Sequence, residues 1–135
     1  MSRSQGRGVR QPRPADPRTV RRQLQRQLDV VQVLLQQRGE PLGVDALAAR
    51  LGVSERTVER DLERLRAAQL PLRGRGGQGG GVWLEVTRTE APLRLDDHQV
   101  MGLVMALEAL AMPLPSPLAD AQAALREHLD DPSLF

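Results

Sequence analysis

The 135-residue chain contains no cysteine, no lysine and no tyrosine, and its only aromatic residues are Trp83 and Phe135. Without cysteine it can form no disulfide, no thiolate metal site and no cysteine nucleophile. No apolar run approaches the roughly 18 residues needed to cross a bilayer, and the N-terminus lacks the apolar stretch of a secretory signal. These absences predict a soluble, cytoplasmic protein with no membrane partner. Neither a nucleophile-base pair nor a cluster of catalytic carboxylates can be picked out, so the chain does not read as an enzyme and no cofactor is expected. His98 and His128 stand far apart with no cysteine partners and read as surface residues rather than metal ligands.

All 19 basic residues are arginine, so almost nothing titrates between neutral pH and the guanidinium range. The isoelectric point of about 10.7 therefore overstates a net charge of only +2. Its distribution is more informative. Residues 1–75 carry 16 Arg against 8 acids, a balance of +8, whereas residues 76–135 carry 3 Arg against 9 acids, a balance of −6. The first half is the one suited to a polyanion.

Residues 1–17 mix Arg, Gly, Pro, Ser and Gln with almost no aliphatic side chains, which predicts a disordered basic arm. Its Arg3, Arg7, Arg10 and Arg13 suit either a phosphate backbone or minor groove, or simply solvent. From Arg18 to Arg38, Val20, Leu24, Leu28, Val31 and Leu35 recur at helical spacing and predict a first helix with one buried stripe. Gly39 closes it, and Leu42 and Val44 suit a brief strand. Asp45 to Leu51 predicts a short second helix, Gly52-Val53-Ser54 a turn, and Ser54 the cap of a third helix reaching about Ala68. At about 100° per residue, Val58, Leu62 and Leu65 face the core while Arg56, Arg60 and Arg64 face outward. Glu55, Glu59 and Glu63 run beside these arginines, at a spacing that predicts weak ion pairs.

Six glycines lie between Gly74 and Gly81, bracketed by Leu70-Pro71-Leu72 and Val82-Trp83-Leu84. Apolar strand, glycine tip and apolar strand predict a β-hairpin, with Arg73 and Arg75 on its rising arm and Trp83 in its core. The glycine run lacks a Gly-Lys-Ser/Thr ending and precedes a strand, unlike a phosphate-binding loop. Beyond Pro92, Asp96 and Gln99 form a capping-box pattern ahead of a helix apolar almost all round. Glu108 is its only charge between Val100 and Met112. Pro113, Pro115 and Pro117 end it and open a last helix, with Leu118, Ala121, Leu125 and Leu129 on one face.

Ala48, Gly52 and Val58 have the spacing of a helix-turn-helix: a small residue where the helices cross, a glycine at the turn, an apolar anchor under the second helix. With a hairpin in the wing position, the expected fold is mainly α. It is a winged helix-turn-helix over residues 18–88, followed by a C-terminal helical pair over residues 92–135.

The run LGVSERTVERDLERLRAAQLPLRGRGGQGGGVWL resembles the N-terminal winged helix of the WYL-domain transcriptional regulators, part of a wider group of repressor domains that includes the biotin repressor. PLRLDDHQVMGLVMALEALA is similar to the segment that follows that winged helix, so the resemblance covers roughly residues 20–130. It implies a bacterial, nucleoid-associated regulator that binds double-stranded DNA, usually as a dimer. With no tyrosine, the chain cannot hold the Trp-Tyr-Leu element of the family's sensor, and the WYL domain is expected to be absent.

An α-helix in the major groove reads bases with the outward residues of its first turns. Arg56, Thr57 and Arg60 are the leading candidates, Arg for guanine and Thr for a thymine methyl, while Glu59 can accept from cytosine. Ser54 and Arg64 suit phosphate, and Arg73 and Arg75 suit phosphate or the minor groove. The apolar helix has Met101, Met105 and Met112 on one side and Val100, Val104 and Leu107 on the other, which predicts a homodimer interface; the alternative is packing against the winged helix alone. As a function, the alternative to a DNA-binding regulator is an interaction module that pairs with a full-length related regulator.

Overall fold

The computed structural model describes residues 16–87 and 91–131. All but the last two residues of the expected basic arm, including its four arginines, lie outside the described residues.

Helix α1 (Pro17–Gln36) starts where Asp16 accepts a hydrogen bond from the Arg18 N–H (3.0 Å) and Pro17 takes the first helical position, where its missing N–H costs nothing. Its inward line is Val30 and Leu34, both fully buried. The expected stripe is therefore corrected by one position: Val31 packs at the edge of the core and Leu35 is 48% exposed. Arg26 occupies the same i, i+4 row as Val30 and Leu34, and its charge hides that row from a hydrophobic pattern.

Helix α2 (Val44–Leu51) ends at Gly52, which takes the left-handed φ of +66° that closes the turn. Val53 N–H then returns to the Ala48 carbonyl (3.1 Å). Helix α3 (Glu55–Ala67) is capped by Ser54, whose hydroxyl accepts from Thr57 N–H (3.2 Å). It buries Val58, Leu62 and Leu65, together with Asp61. At its end Gln69 N–H bonds the Arg66 carbonyl (2.9 Å) and Leu70 N–H bonds the Leu65 carbonyl (3.2 Å), a Schellman closure with Gln69 at φ +61°.

The hairpin consists of β1 (Leu72–Arg75) and β2 (Gly81–Leu84), antiparallel with Leu72 opposite Leu84 and Arg73 opposite Trp83. On the other edge of β2, Leu42 and Val82 exchange two backbone hydrogen bonds of 2.9 Å. The expected strand at Leu42 and Val44 is thus a single bridge at Leu42, because Val44 already begins α2. Gly81 makes the bridge possible: a Cβ there would sit 2.5 Å from the Leu42 carbonyl oxygen. Leu72, Val82 and Leu84 point into the core, and strand alternation puts Trp83 on the opposite face. Trp83 is only half-buried, which corrects its assignment to the core.

Helix α4 (Asp97–Ala109) has the expected capping box: Asp96 accepts from Gln99 N–H (2.7 Å) and Gln99 accepts from Asp96 N–H (2.9 Å). Helix α5 (Ser116–Leu129) packs against α4, and Arg126 bonds Glu108 across the pair (3.1 Å). Arg21 of α1 donates to the Pro113 carbonyl (2.9 Å) in the connection. The main core runs from Val30 to Leu84 and contains no residue of α4 or α5. Three helices and a hairpin, then two helices, make a winged helix-turn-helix with a C-terminal helical pair.

One polar interaction lies inside the core. Asp61 is the only buried charged residue among those described. It accepts from Arg26 through both oxygens, Oδ2 from Nε and Oδ1 from Nη2 (3.0 Å), so that α1 and α3 are joined by a bidentate pair. Arg64 Nη1 approaches the same carboxylate at 4.0 Å. The hydrogen bond to Asp61 raises the Arg26 pKa above its ordinary value, so the guanidinium stays charged.

Two predictions follow from these contacts. Gln69→Gly should raise stability by up to about 1 kcal/mol in urea denaturation, because glycine takes the left-handed conformation without the Cβ cost. Asp61→Ala should lower it by about 3 kcal/mol, near the low end for a broken buried pair, since Arg26 keeps 27% of its side-chain surface in solvent. A midpoint in urea unchanged from wild type would contradict either statement.

Candidate nucleic-acid interface

The outward side of α3 follows from what its inward side buries. With Val58, Leu62 and Leu65 in the core, the 3.6-residue period leaves Arg56, Arg60 and Arg64 exposed, along with Glu55, Glu59 and Glu63. The expected Arg–Glu pairs at i, i+3 do not form among the described residues. Exposed pairs of this kind gain at most about 1 kcal/mol and lose side-chain entropy, so solvation wins. Arg56 and Arg60 consequently have no carboxylate partner among the described residues, whereas Arg64 leans toward Asp61.

Ser54 is exposed at the start of α3, and its Oγ lies 2.9 Å from Thr57 Oγ1. Thr57 is half-buried and its hydroxyl is engaged in the cap, leaving its methyl as the group to offer a neighbour. Glu59 is exposed between Val58 and Arg60.

Both wing arginines are exposed but held. Arg73 Nε donates to Glu85 Oε2 (3.0 Å), with both side chains more than half in solvent. Arg75 Nη2 donates to the Gly79 carbonyl (3.3 Å), which binds the rising strand to the glycine tip, where Gly77 and Gly79 both have positive φ. Sequence reasoning did not find the Arg73–Glu85 pair or Asp61. For Asp61 the signal was present, three residues after Val58 and four before Leu65, whereas the Arg73–Glu85 pair depends on the register that sets Trp83 across from Arg73.

A cleft of about 620 Å³ lies between the C-terminal end of α1 and the strand leaving the hairpin, lined by Leu34, Leu35, Arg38, Trp83 and Val86 among others. It accounts for the half-burial of Trp83. On α4, Met101 (50%) and Met105 (71%) are exposed, Val104 and Leu107 are half-buried, and Met112 beyond the helix is also half-buried. Val100 is buried within the chain and drops out of the face available to a partner. Leu103, absent from the sequence-based set, is 44% exposed.

Among the described residues no group of three or more His, Asp or Glu could hold a metal ion, and no helix is long and apolar enough to cross a membrane. Residues 26–81 match a family model described as an HTH domain, a span from Arg26 to the start of β2. No solved structure matches the chain. The matched segment contains α1 from Arg26 onward, the α2–α3 pair with its Gly52 turn, the exposed arginine face and the glycine-rich loop, and these residues form a helix-turn-helix DNA-binding region.

Proposed function

We propose that the protein is a sequence-specific transcriptional regulator that lays α3 in the major groove of double-stranded DNA. The observation that carries this reading is the pair Arg56 and Arg60, exposed and without carboxylate partners among the described residues, on the outer face of the second helix of the motif. Charges already neutralised would have to break a bond to meet a base; these two do not. Arg56 and Arg60 are assigned to guanine edges, the Thr57 methyl to a thymine methyl and Glu59 to cytosine. Ser54, the amides at the start of α3, and Arg64 meet phosphate. The wing lies along the backbone or minor groove, with Arg73 exchanging Glu85 for phosphate and Arg75 carried at the glycine tip. This is the DNA-reading half of a regulator similar to the WYL-domain group.

A second copy is proposed to cover α4. The exposed Met101 and Met105, with Val104, Leu107 and Met112 beside them, form an apolar face on a helical pair that contributes nothing to the main core. A two-fold axis through this face buries the same patch on both copies and sets two recognition helices on half-sites roughly 34 Å apart.

Arg56→Ala/Arg60→Ala should weaken binding to the preferred duplex at least about tenfold and flatten its preference over random DNA, as read by fluorescence anisotropy. Arg73→Ala/Arg75→Ala should instead lower the salt slope by about two with preference intact. Equal binding by the Arg56/Arg60 variant would overturn the readout. Sedimentation at tens of micromolar should show a dimer that Met105→Glu converts to monomer, and a wild-type monomer at that concentration would remove the dimer.

A further inference from the structure

The roll of α3 about its axis decides where its outward arginines point. Val58, Leu62 and Leu65 hold the helix down, but apolar contact is non-directional and tolerates small rotations. A guanidinium roughly 8 Å from a helix axis moves by about 3 Å when the helix rolls about 20°, far beyond the tolerance of a hydrogen bond. Something directional must set the angle. The buried Asp61, adjacent in sequence to Arg60, is bonded through both oxygens to Arg26 of α1. A planar fork meeting a carboxylate allows little rotation.

We infer that Asp61 is a positioning residue for base recognition, fixing the roll of α3 against α1 through Arg26 and so the aim of Arg56 and Arg60. Being fully buried, Asp61 touches no DNA itself. The inference rests on the reading of α3 as the groove-reading helix. It separates specificity from stability, because exchanging a buried ion pair for apolar residues of similar volume is often neutral or stabilising.

The test uses the full chain. Selection from a randomised duplex pool with wild type defines the preferred duplex, and anisotropy at fixed salt gives the ratio of affinities for preferred and random DNA. Arg26→Met/Asp61→Leu should keep the helical circular dichroism and a urea midpoint at or above wild type. It should bind random duplex within about twofold of wild type, yet lose about tenfold or more in that ratio. Arg26→Lys keeps the charge without the fork and should lose part of the ratio. A folded double variant with wild-type discrimination overturns the positioning role. If the double variant does not fold, Arg26→Lys decides: an unchanged ratio overturns the role, and a reduced ratio at a wild-type urea midpoint supports it. A wild type that prefers no duplex overturns the functional reading together with this one, so the two failures are distinguishable.

Discussion

The packing of α1 against α3 turns on one carboxylate. Asp61 sits among Val58, Leu62 and Leu65, and the fold holds a charge there only because Arg26 arrives with two donors in the right plane. The surrounding core is small and built from aliphatic side chains, with no fully buried aromatic among the described residues. Apolar burial supplies the cohesion. The ion pair supplies a directional contact, and through it α3 is tied to α1 in one plane.

Beyond Leu84 the chain follows a different plan. Residues up to that point close a core of their own, while α4 and α5 hold to each other and reach α1 through the Arg21–Pro113 hydrogen bond. The charge distribution divides near the same place, arginine-rich before and acidic after. The basic part is suited to a polyanion, and the acidic helical pair, with its apolar face, is repelled by one.

Much of the architecture was legible because local chemistry and tertiary need agree. Ser54, Gly52 and the Asp96–Gln99 box punctuate the helices where the sequence places them, and the glycine run gives the hairpin. The misreadings share one cause, which is that pattern analysis sorts residues by polarity. Arg26 and Asp61 are core residues in polar form, so the inner face of α1 was assigned to the Val31–Leu35 line instead of Val30–Leu34. Trp83 is apolar yet lies on the outer strand face, beside a cleft. Of the candidate interface residues, the exposure of Arg56 and Arg60 could be read from helical period alone. The engagement of Arg73 with Glu85 could not, since it depends on the register across the hairpin.

The bridge between Leu42 and Val82 ties the wing to the helix-turn-helix at its root. Leu42 lies two residues before α2, and Gly81 lets the two backbones touch at the point where the wing strand turns back. The wing and the helix-turn-helix therefore share an anchorage at Leu42, which fixes the root of the wing relative to α2 and, across the Gly52 turn, to α3. On the docking proposed above, α3 and the wing would meet a duplex across a gap set by that shared anchorage, so the width of the groove would enter recognition before any side chain reads a base.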